Sequence, residues 1–185
     1  MIMWQEIAKF GKKLVERDLV ESKFGNISVR IGEKMQITKS GFALDEINKN
    51  SVVELDIEKT CDLDNIASTE TIVHRTIYKN TPALAIIHVH PAFAVIESML
   101  VDTKTIIPIN IEGKHFLYEI PVVKGAPGTA ELADNTAQAL IGHKGAVICG
   151  HGTFAIGKTL DEAYFVTALV EQSCKLKYYF DMAKR

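Results

Sequence analysis

The sequence predicts an α/β protein whose largely antiparallel central sheet carries helices on its faces. Three observations predict it. Short β-branched runs alternate with stretches of helical period, several of the runs follow one another directly, and the long strand–helix–strand alternation of a parallel sheet is absent. At 185 residues the chain is expected to form a single domain over 1–185, with one core burying about two-thirds of the surface its unfolded form exposes.

The elements follow in order. Trp4, Ile7, Ala8, Gly11, Leu14 and Val15 recur at three- and four-residue steps, which predicts an amphipathic helix from Trp4 to Glu21. "NISVRI" and "KMQIT" flank Gly32-Glu33 as a hairpin, "SVVELDI" is a further strand, and Cys61 to Ser68 is a polar connection. Ser68 or Thr69 opens a helix through Tyr78, since either hydroxyl can accept from an orphan N–H of the first turn, and Pro82 stops it. "ALAIIHV" reads as a buried strand, and Pro91 suits the first turn of a helix from Ala92 to Leu100. "TIIPINI" and "LYEIPVV" are strands whose prolines place them at edges or ends. Thr129 caps a helix to about Ile141, "AVICG" and "TFAIG" pair across Gly150-His151-Gly152, and Leu160 to Phe180 is a long helix.

Lys and Arg number 21 against 23 Asp and Glu, and no basic block exceeds two residues, so nucleic acid and anionic membranes are not expected partners. A small polar ligand is. Glu6, Lys9, Lys12 and Lys13 break the opening stretch, which therefore reads as neither signal peptide nor membrane span, and a cytoplasmic protein is expected. Three dispersed cysteines, Cys61, Cys149 and Cys174, fit reduced thiols, so a metal site must rest on histidines and carboxylates.

"AIIHVHP" supplies the first two ligand candidates. Residues two apart on a strand share a face, with Cα atoms about 6.6 Å apart, so His88 and His90 can converge on one ion. Pro91 holds His90 extended and ends the strand beyond the pair. His151, between two glycines at a strand junction, is a third candidate, because the glycines allow close approach of other groups. Glu70 is a fourth, in the first turn of a helix with Ser68 and Thr69 before it. His74, one turn later, is assigned a structural role, and His115 and His143 are expected to be solvated.

"GNISVR", "ITKSG", "STE" with His four after the Glu, "IIHVHP", and "GHG" before "GKTLDEA" occur in the order of the class II aldolase/adducin family, which the chain resembles over nearly its whole length. The resemblance implies a three-layer class II aldolase-like fold, and a zinc ion on His88, His90 and His151 with an open position. Glu70 would ligate the ion in the empty site and act as acid/base once substrate displaces it. It also implies a phosphate pocket from Gly25-Asn26, Ser40-Gly41 and Ser68-Thr69, where backbone N–H groups, hydroxyls and a helix N-terminus favour an anion. Lys39 stands where family members often carry proline, which brings an extra cation to that loop.

The implied reaction is reversible cleavage of a ketose 1-phosphate, fuculose 1-phosphate-like, to dihydroxyacetone phosphate and a small aldehyde such as lactaldehyde. Epimerases of the family carry Asp at the position of Glu70, so Glu disfavours that activity. A methylthioribulose-1-phosphate dehydratase is the closer alternative, and a non-catalytic adducin-like module the remotest, since all four ligand candidates are present. A homotetramer is the assembly the resemblance implies.

Overall fold

The computed structural model describes residues 3–184. Eight strands form one sheet: β1 (Asn26–Ile31), β2 (Lys34–Thr38), β3 (Val52–Asp56), β4 (Ala85–Val89), β5 (Thr105–Ile106), β6 (Ile120–Val123), β7 (Gly145–Ile148) and β8 (Gly152–Gly157). Their spatial order is β3-β2-β1-β4-β8-β7-β6-β5, and among the described residues only β6 and β7 run parallel. The expected antiparallel sheet is therefore present.

Among the described residues six α-helices cover it: α1 (Trp4–Glu16), α2 (Thr71–Asn80), α3 (Ala92–Leu100), α4 (Ile111–Phe116), α5 (Ala130–Ala139) and α6 (Leu160–Ala183). The two-residue alternation of the strands divides the core. Met35, Ile37, Ile86, Ala146, Phe154 and Ile156 face α2 and α5, burying Val73, Ile77, Leu132 and Ala137. Ile27, Val29, Ala85, Ile87 and Val89 face the other way onto α1 and the start of α6, and Val147 and Ala155 meet α3 and the rest of α6. Two helical layers around one sheet make the three-layer arrangement.

Several boundaries differ from the sequence reading for identifiable reasons. The first helix stops at Glu16, not Glu21. Asp18 takes the left-handed conformation (φ 54°), its N–H donates to Val15 O at 3.0 Å and Leu19 N donates to Leu14 O at 3.0 Å, which is the Schellman closure. Leu19 and Val20 continue the apolar pattern from outside the helix, still buried beside Leu14. The polar connection after Cys61 holds a short 3-10 turn, Asp62–Ile66. Pro91 is the residue before α3 and not part of its first turn; the α3 N–H groups of Phe93 and Ala94 donate to the Glu171 carboxylate of α6 at 3.0 and 2.8 Å.

The strand expected in "TIIPINI" is two residues long, because Pro108 cannot continue the ladder, and Ile111–Phe116 is helical. "LYEIPVV" pairs only from Ile120, after α4 ends with Tyr118 at φ 60°. Thr129 caps α5 as expected, its Oγ1 accepting from Leu132 N at 3.2 Å. Cys61, Cys149 and Cys174 are free thiols, and no helix among the described residues is long and apolar enough to cross a membrane.

Candidate active site

Antiparallel pairing makes the start of β1, the end of β2, the end of β4 and the start of β8 neighbours at one end of the sheet. Asn26 lies opposite His88 in the β1–β4 register, Val89 opposite Thr153 in the β4–β8 register, and Ile37 opposite Ser28 between β2 and β1. The head of α2 joins them, since Ser68 N donates to Thr38 O at 3.1 Å and Lys39 bridges Ala67. Every residue singled out as a ligand or phosphate contact therefore belongs to this end of the fold.

His88, His90 and His151 each bring a ring nitrogen within 4.8 Å of the others'. Their ring centroids form a triangle with sides of 5.0, 5.0 and 4.7 Å, and the Nε2 atoms of His88 and His90 are 3.1 Å apart. His88 Nδ1 lies 2.9 Å from the Thr153 carbonyl, which can only accept, so Nδ1 carries the proton and Nε2 presents a lone pair. The His88 ring stacks on Phe154 at 4.2 Å. Burial holds His88 well below the ordinary imidazole pKa, with the neighbouring imidazoles adding to it; burial likewise lowers His90 to about 4 and lowers His151.

These features fit a metal ion. Three neutral nitrogens converge, and His151 Nδ1 is buried with no partner among the described residues. Ligand nitrogens on a tetrahedral zinc ion, with bonds of about 2.0–2.1 Å, are about 3.3 Å apart, close to the spacing of the first pair. Their surroundings keep the cluster tight. A Cβ at Gly152 would lie 2.5 Å from Val89 O and 2.6 Å from His90 Cδ2, so only glycine lets β8 start this close to the pair. The His151 turn is held by Ser98, whose Oγ accepts from Gly150 N at 3.0 Å. The carboxylate of Glu70 is not among the converging atoms.

Glu70 is the cap position before α2, one residue ahead of the helix, and not within its first turn. Ser68 Oγ accepts from Glu70 N at 3.2 Å, so the expected hydroxyl acceptor serves the cap residue and not the first turn. The Glu70 side chain caps nothing; its Oε2 is buried and unpartnered, and desolvation raises its pKa, opposed in part by a hydrogen bond from the Gly128 backbone. Gly128 is a site residue that sequence reasoning missed. The turn signal of Pro127-Gly128 just before the Thr129 cap marked the loop, but nothing in the chain tied it to Glu70.

The phosphate candidates separate. Ser40, Ser68 and Thr69 line a cavity of about 350 Å³ together with Asn65, Arg75 and Gly128. Gly25, Asn26 and Gly41 are not part of its lining; Asn26 is buried at the head of β1 and Gly41 is exposed. The Arg75 guanidinium is held by Asp64 and by the carbonyls of Asp56 and Lys59, at 3.0 and 2.9 Å for the latter two. His74 is fully buried, as its structural assignment requires, and His115 is exposed. His143 departs from expectation: it is half-buried, bonded to Ala139 O at 2.9 Å and Glu119 at 3.2 Å.

The family model for the Class II Aldolase and Adducin N-terminal domain matches residues 5–178. The chain belongs to this family. Among family structures it is similar to the L-fuculose-1-phosphate aldolase from Thermus thermophilus, with a TM-score of 0.92 and 31% identity covering 98% of this chain and 95% of that one. Among class II aldolase sequences it is 26% identical to the L-fuculose phosphate aldolase of Methanococcus maripaludis, over 97% of this chain and 98% of the relative. It is also 29% identical to a 5-methylthioribulose-1-phosphate/5-deoxyribulose-1-phosphate aldolase of Rhodospirillum rubrum, over 80% of this chain and 67% of the relative.

Two outcomes test this geometry. Gly152→Ala is expected to displace His90 and weaken metal binding by about tenfold or more, as loss of a supporting contact does, measured by competition with a chromophoric chelator. Burial lowers His74 to about 3, while in the unfolded chain it binds a proton below about 6.5. The unfolded state then holds the extra proton, so the stability of the metal-free protein falls as the pH drops through about 6.5 and keeps falling towards 3. Thermal melts in chelator across that range check it; a melting temperature flat from neutral pH to about 4 contradicts it.

Proposed function

We propose that this class II aldolase reversibly cleaves a ketose 1-phosphate, fuculose 1-phosphate-like, to dihydroxyacetone phosphate and a small aldehyde such as lactaldehyde. The observation that carries the reading is the pairing of chemistries at one sheet end: three imidazoles that converge, and one buried carboxylate at the head of α2 whose Oε2 has no partner among the described residues. We assign His88, His90 and His151 as the zinc ligands, with Glu70 as a fourth when no substrate is present. A divalent ion held there by these residues would supply Lewis acidity toward the substrate carbonyl.

The chain's own residues supply the rest. Glu70 transfers the proton at C3, giving it to the three-carbon fragment in cleavage and taking it in condensation. Its raised pKa brings the protonated form closer to neutral pH than an exposed carboxyl allows. Gly25, Asn26, Ser40, Gly41, Ser68 and Thr69 are assigned to the phosphate, so that binding remote from C3 becomes orientation at C3. Support comes from the cavity shared by Ser40, Ser68 and Thr69, whose hydroxyls can donate to an anion.

We assign one domain through residues 1–185, a homotetramer and a cytoplasmic location. Ile107, Ile111, Phe116 and Tyr118 are exposed around α4, with Ile111 81% exposed, and such a patch supports contact between copies. The free thiols support a reducing compartment.

The Rhodospirillum rubrum relative carries a second substrate reading, a 5-deoxy or 5-methylthio pentulose 1-phosphate. A panel of these phosphates and fuculose 1-phosphate, followed by coupled detection of dihydroxyacetone phosphate, separates the two. Release is expected to stop in chelator and return with zinc. Cleavage that resists chelator contradicts the metal assignment, and a diketone product without triose phosphate favours a dehydratase. Glu70→Gln is expected to lower kcat by about 10²–10⁴-fold while metal content stays stoichiometric. His90→Ala is expected to weaken metal binding by more than about a hundredfold, beyond what losing an outer partner of a ligand costs.

A further inference from the structure

Behind the site runs a buried chain of four polar side chains, of which only Asn26 is assigned to the substrate. Asn26 Oδ1 lies 2.6 Å from His74 Nε2, His74 Nδ1 lies 2.6 Å from Ser28 Oγ, and Ser28 Oγ lies 2.7 Å from Tyr78 Oη. Asn26 and Ser28 alternate on the face of β1 that meets α2, and His74 and Tyr78 are one turn apart on that helix. All four are at most 4% exposed. None can exchange a partner for water.

Counting hydrogens gives the chain one direction. Between the ends, the Ser28 hydroxyl accepts one hydrogen and donates one, and the neutral His74 ring accepts at one nitrogen and donates at the other. Run from the phenol, Tyr78 donates to Ser28, Ser28 to His74 Nδ1, and His74 Nε2–H to the Asn26 carbonyl oxygen, so every hydrogen has an acceptor. Run the other way, the Asn26 amide nitrogen donates to His74 Nε2, and the buried Tyr78 O–H is left with no acceptor among the described residues. An orphaned buried donor is costly, so the first direction holds. A histidine carrying charge would break the chain by making both nitrogens donors, and burial keeps His74 neutral.

We propose that His74 is a positioning residue: as its Nε2–H tautomer it locks the amide of Asn26 with the carbonyl oxygen turned inward, leaving the two Nδ2 hydrogens as donors for an anion at the start of β1. Asn26 Nδ2 takes no partner among the described residues. An asparagine free to flip would offer the anion a carbonyl oxygen in part of the population, and that repels it. The inference rests on the assignment of Asn26 to the phosphate site.

The test uses the full-length protein and inorganic phosphate. Nitrogen-15 spectra of histidine-labelled protein are expected to show His74 protonated at Nε2 and bare at Nδ1. Ser28→Ala removes the donor to Nδ1 without touching the anion. It is expected to mix the two tautomers, weaken phosphate by about three- to tenfold, less than outright loss of a hydrogen bond to a charged group because the outward donor persists in part of the population, and raise KM more than it lowers kcat. Asn26→Asp, which keeps the inward acceptor but replaces the outward donor, is expected to weaken phosphate by more than about tenfold. A His74 protonated at Nδ1, or a Ser28→Ala protein with unchanged tautomer and phosphate affinity, overturns the positioning role and leaves the pocket assignment standing. Wild-type protein that binds no phosphate overturns the pocket assignment, and the positioning role with it.

Discussion

The register of β1, β4 and β8 is the constraint on which the rest of the structure depends. Asn26 opposite His88 and Val89 opposite Thr153 bring three strand ends to one place, with Asn26 and His88 in the ladder itself and His90 and His151 one residue beyond it. Because side chains alternate along a strand, a slip of one residue in β4 would turn His88 and His90 toward α1 and α6 and bring Val89 to the site. Ala85, Ile87 and Val89 in the core under α1 hold that register by burial. Apolar packing on one face thus aims the imidazoles on the other.

The same burial sets the electrostatics. Imidazoles lose their proton more readily when desolvated, whereas a carboxyl keeps its proton longer, so one environment leaves His88, His90 and His151 as lone-pair donors and shifts Glu70 toward its protonated form. Burial is the main cause of the Glu70 shift, and Arg75, which lines the neighbouring cavity, is already matched by Asp64. The metal binding and proton transfer proposed for these residues would therefore draw on a single physical cause, exclusion of water from the end of the sheet.

Ties from distant parts of the chain keep this end rigid. Glu171 on α6 accepts from the first N–H groups of α3, placing a negative charge where the helix dipole favours it and fixing the segment that follows His90. Ser98, at the other end of α3, holds the turn that presents His151. The helix α3 is thus tied at both ends to the two chain segments that carry the converging histidines.

Most of this fold was legible in the sequence wherever a local pattern had one physical meaning. The hairpin around Gly32-Glu33, the Thr129 cap, the H-x-H pair before Pro91 and the Gly-His-Gly turn depend on residues within a few positions of one another. Patterns with two meanings were not legible. Leu19 and Val20 extend a helical period but belong to a Schellman closure, and "TIIPINI" has strand composition but a proline that breaks its ladder. By itself the sequence determined most of the elements, the faces they bury and the residue types available for a metal and an anion, because periodicity and capping are local. Only the tertiary structure decided that Thr153 O sets the His88 tautomer, that Gly152 leaves room for His90, that Gly128 reaches Glu70, and that Tyr78, Ser28 and His74 form one chain to Asn26. Those contacts join residues up to 65 positions apart. Their partners are chosen by strand register and helix packing, which no short stretch of sequence encodes.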